Sequence, residues 1–471
     1  MIELTLSDVA DIVGGRLVDG ATGAVTVSGE AHTDSRKVSA GAIFFALPGE
    51  VTDGHLFAPA AVDNGASLLI VERELDLDVP QIVVTDGVAA LASLAREVVA
   101  RVRARGDLKV VAVTGSNGKT TTKNMLRAVL EREGATVSPF GSFNNHVGAP
   151  ISMLAVDFDT KYLVVEMGAS AIGEIAQLIS IVTPDVGIVL KVGLAHVGEF
   201  GGADAVGIAK SEMVTELPAT ATAVLNLDDS RVVPMAGITR AKTLWFGLDP
   251  EADFSADDIE ATATGTSFTL SYAGDAGARV TRPVQLRILG EHHVMNALAT
   301  IAAAHALGVP VERSTPAVEG LARAARWRME VQPREDGVVV INDAYNASPD
   351  SMSAALKTLA QITDDTQRSV AVLGEMAELG EYANEEHDRI GRLVVRLNIK
   401  KLVVVGHNAR HIHNAAGLEG SWDGESMLVD TADEAYDVLR DQLRAGDVVL
   451  VKSSGSAGLR FLGDRIAGVS E

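Results

Sequence analysis

Short aliphatic runs recur along this chain, and the polar stretches between them change character twice. Near the start, Ile43–Leu47, Ser67–Val71 and Ile82–Thr85 are apolar runs of strand length, followed by a helical pattern from Val88 to Arg105. Gly106 and Asp107 break that pattern, so a small α/β domain over residues 1–106 is expected. From Leu108 the chain alternates strand and helix. Val110–Val113 reads as a buried strand, and Thr120–Glu133 as a helix with Gly134 as its C-cap. Tyr162–Val165 and Val186–Leu190 read as further strands and Ala203–Leu217 as a helix, which predicts a mainly parallel sheet covered on both faces. The stretch from Phe254 to Ile288 differs. It is rich in Thr, Ser and Val around a Gly274–Gly277 turn and predicts antiparallel hairpins inserted before a helix at His293–Leu307. In the last part, strands at Val338–Ile341, Val370–Leu373, Leu402–Val405 and Val448–Val451 alternate with helices. The expected organisation is three α/β domains, over residues 1–106, 107–324 and 325–471.

Composition narrows the function. Acidic residues outnumber basic ones 63 to 40, for a formal net charge of -23, which disfavours nucleic acid and anionic membrane surfaces as partners. The chain has no cysteine, so disulfides, thiolate nucleophiles and Cys-bound zinc are excluded. The N-terminal residues lack the basic start and apolar stretch of a signal peptide. No apolar run approaches the ~20 residues needed to span a bilayer. A cytoplasmic monomer is expected.

The chemistry begins at Thr114-Gly115-Ser116-Asn117-Gly118-Lys119-Thr120-Thr121-Thr122, between a buried strand and a helix. Glycines let backbone N–H groups turn toward an anion, and a helix N-terminus adds its positive dipole end. Lys119 can reach outer phosphates and the Thr120 hydroxyl can bind Mg²⁺, so an ATP site is expected. Its spacing is a variant, because Val113 stands where the common phosphate loop has its first glycine. Glu166 ends the strand after Tyr162, where a carboxylate faces the ligand crevice and suits Mg²⁺. His196 follows another strand and by itself reads as structural; Lys210, on a helix, reads as a solvated lysine. His292 and His293 are adjacent on a helix, so they point about 100° apart and read as structural. A kinase or an NTPase that ligates nothing remains compatible with the loop alone.

The variant loop, together with the segments below, resembles the Mur ligases, which add amino acids or peptides to a UDP-linked muramoyl precursor of the bacterial cell wall. The resemblance implies an N-terminal UDP-binding domain, a central P-loop-type domain and a C-terminal Rossmann-like domain that closes over ATP. It implies two Mg²⁺ ions, with His196 and a carbamylated Lys210 holding the second. It assigns Asn296 to adenine, Arg328 in Trp327-Arg328-Met329-Glu330 to the terminal phosphate, and Asp343 to ribose. Trp327 stands where the resembling ligases carry a smaller residue or histidine. Asp34-Ser35-Arg36 resembles the UDP-sugar site, and Asn144 and Asn145 the substrate-side loop. The segments Asp343–Ser351, with Tyr345, Asn346 and Ser348, and Leu373–Gly380 resemble the member that adds D-alanyl-D-alanine to a UDP-muramoyl-tripeptide. The Asp-Asn-Pro-Arg motif of the preceding, diaminopimelate-adding member does not occur. The implied reaction is ATP-dependent amide formation through an acyl phosphate. Another Mur-type ligase is the alternative. The loop Lys452-Ser453-Ser454 carries no assignment from the sequence.

Overall fold

The strand Lys109–Thr114 lies inside a mixed sheet, hydrogen-bonded in parallel to Tyr162–Glu166 on one side and Val186–Val189 on the other. This is a computed structural model, and it describes residues 1–18, 22–49, 51–139, 141–195, 197–274, 277–323, 325–420 and 422–469. Every residue from Val110 to Thr114 is buried, as a continuous aliphatic run in a parallel strand requires. Ligand-facing residues are therefore concentrated at the strands' carboxyl ends, where Thr114, Glu166 and Leu190 lead into loops.

Among the described residues this central sheet has nine strands. The three strands Phe254–Thr262, Gly265–Ala273 and Arg279–Leu286 are antiparallel to one another, as expected. They form the expected antiparallel insertion before the helix, and they also join the main sheet. Phe254 pairs in parallel register with Phe246 of the strand Lys242–Gly247, so the hairpins extend the main sheet. Phe246, Phe254, Phe268 and Leu270 are buried in the same core as the helix His292–Ala306. The helix predicted to run to Glu133 stops at Leu130, and Gly134 follows a further turn instead of capping it.

The N-terminal sheet has five described strands, mostly parallel, and the C-terminal sheet six. In the latter, Val339–Asn342, Asp447–Lys452 and Arg368–Leu373 run parallel side by side, bringing three loops to one edge. The helix Gly87–Arg105 does more than close the first domain. Its Leu91, Val98 and Val102 share one apolar core with Phe45 of the N-terminal sheet and with Val110 and Met153 of the central domain. No described helix is long and apolar enough to cross a membrane.

Candidate active site

The turn between Thr114 and Lys119 is shaped by two glycines at positive φ, Gly115 and Gly118. At Gly118 (φ 87°) the requirement is strict, because a Cβ would lie 2.3 Å from Asn296 Oδ1. The loop is tied to its neighbour strand: Ser116 N–H donates to Lys191 O, and Ser116 Oγ receives a bond from Gly193 N–H at 2.9 Å. Lys119 opens the helix Lys119–Leu130 and its Nζ donates to Gly115 O at 2.7 Å, folded over the loop. Burial pushes its amine below the usual lysine range, with Glu166 opposing and Arg328 reinforcing the shift.

One cavity of about 530 Å³ opens in front of this loop. On its floor, Thr120 Oγ1 donates to Glu166 Oε2 at 2.9 Å, and Asn144 Nδ2 donates to Glu166 Oε1 at 2.7 Å. Glu166 is 1% exposed. Ser142 Oγ lies 3.1 Å from Thr120 Oγ1, and Arg328 Nη2 donates to Thr120 Oγ1 at 3.2 Å from the C-terminal domain. The Arg328 guanidinium lies over the Tyr345 ring at 4.3 Å, and its Nε is buried without a partner among the described residues. A half-buried cation with an unused N–H, beside Lys119 and a helix N-terminus, suits a phosphate oxygen. Thr120 and Glu166 present the hard oxygen donors that Mg²⁺ takes.

The C-terminal domain supplies the opposite wall. Asp343 accepts from Met329 N–H at 3.0 Å and from Lys452 Nζ at 2.6 Å. Lys452, unassigned from the sequence, is 2% exposed and also donates to Asn346 O. Ser348 caps the helix Pro349–Ile362, and its Oγ donates to Asn117 Oδ1 at 3.0 Å across the domain seam. Asp350 in the same first turn pairs with Lys191 at 2.9 Å. Backbones meet directly at Gly198 and Gly380: Gly198 N–H donates to Glu378 O, and a Cβ on Gly198 would lie 2.6 Å from Gly380 N. The domains are closed against each other here.

Most residues singled out from the sequence gather at this cavity: Ser116 to Thr121, Asn144, Asn145, Glu166, Asn296, Arg328, Asp343, Tyr345, Asn346 and Ser348 all line it. Asn145 Oδ1 also accepts from Gly148 N–H at the start of the helix Gly148–Leu154. Thr114 is buried behind the loop. Ser35 and Arg36 lie outside the cavity lining, in a short 3-10 turn capped by Asp34, where Arg36 forms a two-pronged ion pair with Asp34. His196 falls outside the described residues.

Two readings change. Lys210 is not solvated; it is 2% exposed, and burial, then the nearby Lys119 charge, pushes its amine down to about 7. His292 and His293 are not confined to the core, since both line the cavity with ring centroids 4.1 Å apart. Burial lowers His292 to about 4 and pushes His293 well below the usual imidazole value, so both stay neutral at physiological pH. Lys191, Glu199, Asp350, Glu378 and Lys452 also line the cavity and were not singled out. Lys191 and Lys452 carried a usable signal, each standing directly after a predicted strand.

Against known families, the description "Mur ligase family, catalytic domain" matches residues 31–106, "Mur ligase middle domain" 113–304, and "Mur ligase, glutamate ligase domain" 327–455. The chain belongs to the Mur ligase family. This Mur ligase is 41% identical over 506 residues to the UDP-N-acetylmuramoyl-tripeptide–D-alanyl-D-alanine ligase of Mycobacterium tuberculosis, covering 99% of this chain and 98% of that one. It is 33% identical to the ligase of the same name from Escherichia coli, covering 98% and 97%. Among solved structures it resembles MurF from Acinetobacter baumannii at a TM-score of 0.88 and 31% identity, covering 99% of both chains. It also resembles the MurF ligase from Thermotoga maritima in complex with ADP, at a TM-score of 0.79 and 28% identity, covering 94% and 97%.

Proposed function

We propose that this Mur ligase joins D-alanyl-D-alanine to UDP-N-acetylmuramoyl-tripeptide, with cleavage of ATP to ADP and phosphate. The observation that carries the reading is the whole-length 41% identity to a ligase of that name, on a chain that brings Lys119, Thr120 and Glu166 against Arg328. The tripeptide's terminal carboxylate oxygen attacks the γ-phosphorus of ATP, the bond to the bridging oxygen breaks, and ADP leaves. The resulting acyl phosphate gives the carbonyl a leaving group. The dipeptide amine then adds to that carbonyl, the amine loses its proton, and phosphate departs from the tetrahedral intermediate as the amide forms. Phosphoryl transfer asks the protein mainly for positioning and charge neutralisation. Lys119 and Arg328 approach from two domains, so their charges converge only in the closed arrangement.

Thr120 and Glu166 would hold a Mg²⁺, which would offset phosphate charge when bound. A second would rest on His196 and on Lys210 as its carbamate. The support for carbamylation is the Lys210 amine at about 7, which leaves an accessible neutral form, the form that adds CO₂. Residues 1–106, with Ser35 and Arg36, would take the UDP-muramoyl peptide, residues 107–324 the ATP, and residues 325–471 the dipeptide. Asn296 and Asp343 would contact adenine and ribose, and Asn144, Asn145, Tyr345, Asn346 and Ser348 the substrates. The reaction would run in the cytoplasm, in a monomer.

The direct test is phosphate release from ATP and Mg²⁺ with UDP-N-acetylmuramoyl-tripeptide, with and without D-alanyl-D-alanine. Release that needs both, with a dipeptide-extended product by mass, is expected. Release that ignores the dipeptide would point to another Mur ligase, and release indifferent to both to an NTPase.

A further inference from the structure

Arg328 sits between two non-glycine residues in the left-handed region, Trp327 at φ 57° and Met329 at φ 48°. That backbone is unfavourable for both residue types and persists only where surrounding bonds over-determine it. Here they do. Trp327 N–H donates to Glu330 Oε2 at 2.8 Å, Tyr345 N–H donates to Trp327 O, and Met329 N–H donates to Asp343 Oδ1. The indole is fixed separately. Its Nε1–H donates to Asp464 Oδ2 at 2.8 Å, its ring meets Phe461 edge-on at 5.9 Å, and the Arg326 and Arg460 guanidiniums lie against it.

Asp464 is itself held in place. It is 5% exposed on the helix Leu459–Ala467 and receives Asn342 Nδ2–H at 2.9 Å from the strand Val339–Asn342. The partners of Trp327 thus all belong to the C-terminal domain, whereas Arg328, one residue on, reaches Thr120 in the central domain.

We propose that Trp327 is a positioning residue which, through its bond to Asp464, locks the strained turn that presents Arg328 to the terminal phosphate of ATP. The inference rests on the proposed role of Arg328. The indole anchor makes the arginine a rigid projection of the C-terminal domain, delivered when that domain closes. Loosening the anchor leaves Arg328 present but misdirected, and small displacements of a charge-neutralising group cost rate steeply.

The test uses the full-length protein in Trp327→Phe, which keeps an aromatic ring and removes the N–H, and in Asp464→Ala, which removes the acceptor, as an independent lesion. Arg328→Ala serves as reference. For each, kcat and KM for ATP are measured together with the inhibition constant of ADP, which lacks the phosphate in question. Both anchor variants should lose roughly tenfold in kcat/KM for ATP, about the effect of one hydrogen bond to a charged group, with ADP affinity unchanged. The double variant Trp327→Phe/Arg328→Ala should be no worse than Arg328→Ala alone. Equal losses for ATP and ADP, losses that add to those of Arg328→Ala, or unimpaired anchor variants would each overturn the proposal. If Arg328→Ala itself turns over ATP normally, the phosphate role assigned to Arg328 fails first, and the anchor's function with it.

Discussion

Thr120 Oγ1 and Glu166 Oε2 lie 2.9 Å apart although 46 residues separate them in sequence, because the strand that leads to Thr120 and the strand that ends at Glu166 are adjacent and parallel. One comes from the helix after Lys109–Thr114, the other from the end of Tyr162–Glu166. An oxygen pair so placed, beside the phosphate loop, is suited to a divalent cation shared with phosphate. Glu166→Gln should raise the Mg²⁺ concentration for half-maximal turnover by about tenfold or more while leaving the melting temperature nearly unchanged. An unaltered Mg²⁺ titration would remove Glu166 from the metal site.

Lys119→Ala should abolish ligation, by roughly 100-fold or more, because no other described side chain on the loop offers a cation. Circular dichroism should show the fold intact, since the helix begins on backbone bonds that alanine keeps. A variant that retains most of its turnover contradicts the assignment.

Protein equilibrated with ¹³C-bicarbonate should show a carbamate carbon by NMR that is missing from Lys210→Arg. The arginine variant should also lose most activity, since a guanidinium cannot become an anion. A spectrum without that signal, in fully active enzyme, would refute carbamylation.

Lys123 offers a pH test of the core. Its side chain is fully buried against the carbonyls of Pro139 and Gly141, and burial lowers its amine from 10.5 to about 8. Between those values the unfolded chain binds more protons, so this lysine's contribution makes stability rise with pH across the window and level off above it. Urea midpoints measured near both ends should therefore climb more for wild type than for Lys123→Met. Equal slopes would show that Lys123 does not titrate there.

Gly198→Val should block closure. The added side chain meets Gly380 N and Glu378 O, both backbone atoms that cannot swing aside. Turnover should fall by about tenfold or more, and small-angle scattering should report a larger radius. A fully active, equally compact variant would mean that the contact is incidental.

The sequence was most informative where one short segment carries a whole device. The run Thr114–Thr122 placed its own strand, turn and helix, and Tyr162–Glu166 placed a carboxylate at a strand end. It was least informative where partners lie far apart. Nothing near Lys452 announces Asp343, 109 residues away, because only the order of strands in the sheet makes them neighbours. Lys210 looked solvated because helical spacing gives a residue's face but not what packs on it. The hairpins from Phe254 were legible as an antiparallel insertion because their alternation reveals pairing with each other, while their attachment to Phe246 was not, since it depends on register across the parallel strands. Trp327 looked like an anomaly beside a recognisable arginine until Asp464, 137 residues on, supplied its partner.

The meeting of Gly198 with Gly380 also bears on how the molecule lets go. Two bare backbones touching over so small an area provide almost no adhesion, in contrast to a seam of interleaved leucines. The grip between the halves comes instead from beside that touch, where Val197 and Leu289 are buried in the core of the C-terminal domain and Lys191 pairs with Asp350, so release of the jaws means uncovering a small apolar patch and parting one ion pair.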